Sequence, residues 1–332
     1  PYVNLPAQYA EEKDEIQAAI QAVFEKGDFI GGRAVGKLEE DFAAFCGVKE
    51  VIAVNSGTDA LILSMKVLDI GPGDEVITPP NSFVASTAAI VHVGATPIFA
   101  DVLPDQNIDP EAVEAAVTPR TKAIMPVHLT GRMADMDRIQ VIAKKHGLAV
   151  IEDAAQSVGS MLSGRMSGAI GDLGCFSAHP LKNLNAAGDA GLITTNDAAM
   201  AARLRRLINH GQEDRDTVVE WGYVSRMDTL QAGVLSVRLR NLPSVIERRR
   251  RNAALYQDLL DPTCVFFPPD RNTEFNTFHT FVVQVDQRDE LQRHLADQGI
   301  GSAIHYPIPI HLQPAAKDLG YETGSMPQTE RQ

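Results

Sequence analysis

The sequence predicts an α/β fold: a mostly parallel central sheet flanked by helices, followed by a smaller α+β domain at the C-terminal end. Three observations carry the prediction. Short apolar runs alternate with helical patterns from about residue 50 to about residue 195, the order expected of strand–helix–strand units. Those runs are almost uniformly apolar, as strands of a parallel sheet must be when helices cover both faces. Beyond about residue 245 the texture changes to an arginine-rich helical pattern, a Pro- and Asn-rich loop and a sparser alternation. These features divide the chain into a large α/β domain with an N-terminal arm over residues 1–240 and a small α+β domain over 241–332.

In chain order, strands are expected at residues 51–54, 75–78, 97–100, 122–127, 148–152, 173–177 and 191–194. Helices are expected at 59–67, 85–93, 110–117 and 136–146. The small domain is read as a long helix over 242–260, a strand over 278–285 and a helix over 290–298. The run Arg248-Arg249-Arg250-Arg251 falls inside the first of these helices and reads as a solvated face. The chain shows no internal repeat and no low-complexity segment.

The 332 residues carry a formal net charge of -13, and no basic face is available for phosphate backbones, which argues against nucleic acid as a partner. Cys46, Cys175 and Cys264 are far apart and fit neither a disulfide framework nor a metal site, so no metal is expected and a reducing cytoplasm is. No apolar run approaches the ~18 residues of a membrane span, and no membrane partner is expected.

Ligands of open α/β sheets sit beyond the carboxyl ends of the strands. No GxGxxG or GxxxxGK[ST] follows a strand, so both common nucleotide fingerprints are missing. Three other strand ends are informative. After the first strand comes Asn55-Ser56-Gly57-Thr58-Asp59, which is either an ordinary helix cap or an anion cradle of amides and hydroxyls. After the fifth comes Asp153, which is either a cap or the partner of a cationic group such as a protonated pyridine nitrogen. After the sixth comes Ser177-Ala178-His179-Pro180-Leu181-Lys182-Asn183, followed by Gly188-Asp189. Lys182 is the only lysine between Lys145 and Lys317. In its apolar, small-residue surround it is either a surface lysine or an amine whose pKa burial lowers toward the nucleophilic form. Phe83, just past the second strand, is either core or an aromatic cover for a flat ring. Taken together, the three strand ends supply what pyridoxal 5'-phosphate requires: a phosphate cradle, an acid for the ring nitrogen and an amine for the aldehyde.

At this point the sequence resembles the DegT/DnrJ/EryC1/StrS family of pyridoxal-phosphate-dependent sugar aminotransferases, of aspartate aminotransferase fold type I. The motifs match in order and spacing: NSGTDAL at 55–61, EDAAQS at 152–157, FSAHPLKN at 176–183, NHG at 209–211, GYVSRMDTLQ at 222–231 and IHYPIPIHLQ at 304–313. The resemblance runs from Val3 to the last residues. It implies that Lys182 carries the cofactor as a Schiff base and moves protons in the reaction, and that Asp153 keeps the ring nitrogen protonated. It also implies that Ser56, Gly57, Thr58, Asp59 and Ser177 surround the phosphate, that Phe83 stacks on the ring, and that Gln156 packs beside it. Arg226 would contribute to the cofactor site from a second subunit, because the family completes its sites across a homodimer.

The implied activity is amino transfer, usually from glutamate, onto a keto group of a nucleotide-linked sugar. His179, Arg33, Tyr306 and His311 are the candidates for substrate contact. The rival readings are an aminotransferase for a keto-cyclitol and a non-catalytic regulatory homologue. A related dehydratase branch carries histidine in place of the lysine, which Lys182 argues against. Two departures stand out. Val224 occupies the position where relatives carry an asparagine that reaches the partner's phosphate. The chain also ends at Gln332, before the further strand and helix that relatives carry, so a C-terminal truncation is expected.

Overall fold

A computed structural model describes residues 3–332. Seven strands form the main sheet: β1 (Glu50–Val54), β2 (Glu75–Thr78), β3 (Thr96–Phe99), β4 (Thr121–Ile124), β5 (Ala149–Asp153), β8 (Leu173–Ser177) and β9 (Gly191–Thr195). Two short strands, β6 (Met161–Leu162) and β7 (Arg165–Met166), fall between β5 and β8 and join β10 (Glu274–Phe275) in a three-stranded sheet. The main order is β1-β9-β8-β5-β4-β2-β3. The pairs from β8 through β3 are parallel, and β9 alone runs against both of its neighbours.

The strand pleat sends alternate residues to opposite faces, and each face meets its own helices. Ile52, Val54, Val76, Met125, Ile151, Cys175 and Ile193 pack against α3 (Gly57–Val67), α4 (Val84–His92) and α7 (Ala198–Leu207). On the other face, Val51, Ala53, Phe176 and Leu192 pack with α2 (Arg33–Cys46) and α8 (Thr229–Leu259). Ile77, Ile124 and Val150 on that face pack with α5 (Pro110–Ala116) and α6 (Met136–His146). Local signals set these helices. In α6, Asp135 caps the start by accepting from the Arg138 amide, Lys144, Lys145 and His146 crowd the last turn, and Gly147 closes it at φ +67°. This is the charge order the helix dipole favours.

The remaining helices are α1 (Leu5–Lys26), α9 (Arg288–Asp297) and α10 (Pro327–Arg331). α1 packs on α8, and Ile16 meets Val234 and Val237. α8 starts thirteen residues before the expected 242 and contains Pro243. Its first turns are buried nearly all round, so no polar face marked them in the sequence. It runs unbroken across residues 240–241. No described residue of α9 is buried. No helix among the described residues is long and apolar enough to cross a membrane.

Two expectations are corrected. Residues 278–285 are not a strand: Phe278 has φ +47°, and only the single bridge Phe266–Gln284 survives. The aromatic rings there cluster instead, with Phe281 near Tyr256, Phe267 and Phe278. The basic run on α8 is not simply a solvated face either. Arg249 donates to the Phe278 and His279 carbonyls (3.3 and 2.9 Å), and Arg250 donates to the Asn276 carbonyl at 2.6 Å. The Arg250 guanidinium also lies 4.1 Å over the Phe275 ring. These arginines hold residues 276–279, which follow β10 and lie in no strand.

Candidate active site

The carboxyl ends of β1, β5 and β8 and the amino end of the antiparallel β9 converge on one place. After β1, Ser56 takes an extended conformation and caps α3, its Oγ accepting from the Asp59 amide at 3.0 Å. The first amides of a helix have no acceptor within it. With Asp59 satisfied by Ser56, the N–H groups of Gly57 and Thr58 remain directed out of the helix end. The ends of β8 and β9 close on this turn. A Cβ at Gly57 would stand 2.5 Å from Ser177 Cβ, and one at Gly191 would stand 2.3 Å from the Ser56 carbonyl oxygen. Glycine at both positions is what lets the backbone of α3 abut the strand ends. The result is a small concavity of amides and the Ser177 hydroxyl, which is an anion cradle. The Asp59 carboxylate is turned away, accepting from Ser225 Oγ at 2.7 Å. Asp59 therefore acts on the loop that carries Ser225.

Asp153 ends β5 and is buried. Its Oδ2 accepts from Ser86 Oγ at 2.7 Å and its Oδ1 from the Ala155 amide at 3.1 Å. Burial pushes its pKa above the usual carboxylate range despite these bonds and the nearby Lys182 charge. Lys182 lies in the turn after β8, its amide donating to the His179 carbonyl at 2.8 Å. Burial lowers the Lys182 pKa, and the Asp153 charge only partly opposes the effect. Each group is thus held away from its charged form until something of opposite charge arrives. A cationic ring nitrogen would suit Asp153, and an electrophilic carbon would suit a neutral Lys182.

Phe83 caps α4 and is 54% exposed, free to cover a flat ligand, and its ring centroid lies 5.9 Å from that of Tyr306. Gln156 accepts from the Thr130 amide at 2.9 Å and donates to Tyr306 Oη at 3.4 Å. These three side chains form one wall. His179 is exposed, and its Nδ1 accepts from the Leu181 amide at 3.3 Å, which shapes the lysine turn.

Other expected residues go elsewhere. His311 is buried, its Nε2 bonded to Glu330 at 3.0 Å, in a satellite core with Phe99 and Tyr321. It ties α10 down and does not face the cradle. Arg33 opens α2 and lines a groove with Lys26, Asp28 and Arg240, a groove that no cradle residue shares. The backbone of Arg226 bridges to Val54, and its guanidinium donates to Asn209 Oδ1. Val224 is exposed beside Asn209.

Sequence reasoning missed several residues around Lys182. Ser86 holds Asp153. His279 and His305 both feel the Lys182 charge, and after burial this helps keep their pKa values low. Glu152 and His128 form a fully buried pair behind Asp153. Glu152 and His305 lie inside matched motifs, but no motif marks Ser86, His128 or His279 as different from ordinary polar residues. The one available signal was the placement of Glu152 within an otherwise apolar strand.

Gly57 against Ser177, the two outward amides, the Asp153 carboxyl and the low-pKa Lys182 amine fit pyridoxal 5'-phosphate as a donor set. The comparisons agree. The DegT/DnrJ/EryC1/StrS aminotransferase family matches residues 10–332. A pleiotropic regulatory protein of Geobacillus stearothermophilus is 43% identical, over 100% of this chain and 90% of its own. The dTDP-3-amino-3,4,6-trideoxy-alpha-D-glucose transaminase of Streptomyces venezuelae is 41% identical, over 99% of this chain and 88% of its own. The crystal structure of S. venezuelae DesV in complex with a ketimine intermediate superposes with a TM-score of 0.97 at 41% identity, covering 100% of this chain and 90% of that one.

Proposed function

The chain belongs to the DegT/DnrJ/EryC1/StrS aminotransferase family, and on that footing we propose that it moves an amino group, with glutamate as donor, onto a keto group of a nucleotide-linked sugar. The family's aminotransferases use pyridoxal 5'-phosphate, which, when bound, supplies an electron sink for a carbon that must lose and regain a proton. The observation that carries the proposal is a half-buried Lys182, its pKa lowered, near a buried Asp153, its pKa raised, beside a glycine-dependent cradle.

The geometry supports the following roles. The Gly57 and Thr58 amides and the Ser177 hydroxyl bind the phosphate, and Ser56 fixes the turn that presents them. Asp153, oriented by Ser86 and the Ala155 amide, holds the proton on the ring nitrogen. Phe83 covers a ring face, and Gln156 and Tyr306 form the neighbouring wall. Lys182 Nζ would hold the cofactor through its aldehyde group, with release of water, and as a free amine it would serve as the acid–base group that moves a proton between the substrate carbon and the cofactor. His179 and Tyr306 stand where a substrate would pass. A homodimer in a cytoplasmic setting is part of this reading, with Arg226 reaching a second copy.

The name of the Geobacillus relative favours a second reading, a regulatory protein without catalysis. The intact lysine, acid and cradle argue against it. The deciding experiment mixes purified holoenzyme with glutamate alone. Release of 2-oxoglutarate with a loss of the visible cofactor band supports the enzyme, and a screen of keto-sugar nucleotides against keto-cyclitols then identifies the acceptor. Cofactor that binds but never exchanges its amino group would establish the regulatory reading.

A further inference from the structure

We propose that the buried Glu152–His128 pair is a positioning device for Asp153, one that sets how firmly that carboxylate holds the proton of the cofactor's ring nitrogen. The inference rests on the functional reading above. Glu152 and Asp153 are successive residues of β5, so their side chains leave opposite faces of the sheet. Both Glu152 and His128 are fully buried. Glu152 Oε1 accepts from the amides of Ile170 (2.7 Å) and Gly171 (2.6 Å), and Oε2 accepts from the Gly168 amide at 2.9 Å. Oε2 also meets His128 Nε2 at 2.8 Å.

The other ring nitrogen of His128 accepts from the Ala134 amide at 3.2 Å. Nδ1 is therefore the unprotonated nitrogen, and Nε2 carries the proton that it donates to Glu152. The Glu152 carboxylate is the acceptor of that bond. Burial raises the pKa of Glu152, and its bonds from His128, Gly171 and Gly168 bring it back below the ordinary carboxylate value.

The main chain passes this arrangement to Asp153. The His128 amide donates to the Asp153 carbonyl at 3.0 Å, and the Asp153 amide donates to the Pro126 carbonyl at 2.9 Å. Glu152 thus clamps residues 126–128 onto β5, and those residues grip both backbone polar groups of Asp153. The pair leaves a buried, fully hydrogen-bonded carboxylate on the face of β5 opposite the acid. The other ionisable groups nearby are Lys182, Cys46 and Cys175. Burial, with the charges of Glu152 and, for Cys175, Asp153, pushes both thiols up, so they stay neutral. A backbone held rigid on both sides of Asp153 keeps its carboxyl in line with the protonated ring nitrogen.

The test loads wild type, Glu152→Gln, His128→Leu and His128→Gln with ring-15N pyridoxal phosphate and follows the nitrogen shift by NMR against pH. Glu152→Gln and His128→Leu should lose the ring proton about one unit lower, a tenfold weaker hold. His128→Gln, which keeps a donor to Glu152, should stay near wild type. Variants that bind the cofactor with an unchanged titration would overturn the proposal. Loss of folding in both Glu152→Gln and His128→Leu would overturn it too, because the pair would then serve stability alone. Wild type that takes up no cofactor would instead sink the functional reading.

Discussion

Replacing Gly57 by alanine tests the cradle where its geometry is tightest. The added methyl would lie 2.5 Å from Ser177 Cβ, 3.0 Å from its Cα and 3.1 Å from its Oγ. No rotamer of Ser177 moves its Cα, so α3 or the end of β8 must shift by roughly an ångström to restore ordinary contact. Overpacking of this kind costs about 1–3 kcal/mol. In the apo protein, α3 can relieve it by drifting away from Ser177. Cofactor binding must then pull the amides back, so the cost falls on affinity. At about 1.4 kcal/mol per tenfold, Gly57→Ala should bind pyridoxal phosphate about 5- to 150-fold more weakly in an absorbance titration. The Ser177→Gly background removes the clashing Cβ. There Gly57→Ala should cost distinctly less than in wild type, a coupling that the double-mutant cycle reads directly. Equal affinity for Gly57→Ala and wild type, or strictly additive costs, would refute the reasoning that the phosphate sits between α3 and β8.

Two further outcomes follow, one from the burial of Lys182 and one from the bonds of Arg249. Because burial lowers its pKa, the folded apo protein binds fewer protons than the unfolded chain between the folded value and the ordinary lysine range. Stability therefore rises with pH across that window and is penalised below it. Lys182→Met removes this dependence, so the apo variant should be the more stable at neutral pH, by urea midpoint, with the gap closing as pH rises; parallel curves would contradict the burial argument. Arg249→Met removes two charge-assisted bonds to the carbonyls of 278 and 279. It should cost about 1.5–3 kcal/mol of stability and speed amide exchange in residues 275–280, whereas a solvated arginine would leave both unchanged.

The strand–helix alternation was legible because parallel strands are apolar on both faces. Lys182, Asp153 and the Ser56–Thr58 turn were legible because ligand sites gather at strand ends. What the sequence hid is instructive in each case. The start of α8 was invisible because Ala232, Val234, Leu235 and Val237 are all buried and leave no polar stripe. Residues 278–285 read like a strand, yet only Gln284 finds a bridging partner, and the carbonyls of Phe278 and His279 go to Arg249. His311 sits in a matching motif, but a motif does not say which way a ring points, and here it points to Glu330. Ser86, His279 and His128 reach the site from segments far away in sequence, so only the folded chain brings them together.

The central claim is that Lys182 is the amine that holds the cofactor. The direct measurement is borohydride reduction of the holoenzyme, followed by proteolysis and mass spectrometry. The account predicts bleaching of the visible band and a pyridoxyl adduct on the peptide containing Lys182, with none formed in Lys182→Ala. An adduct on another lysine, or a protein that bleaches without modification of Lys182, would contradict it.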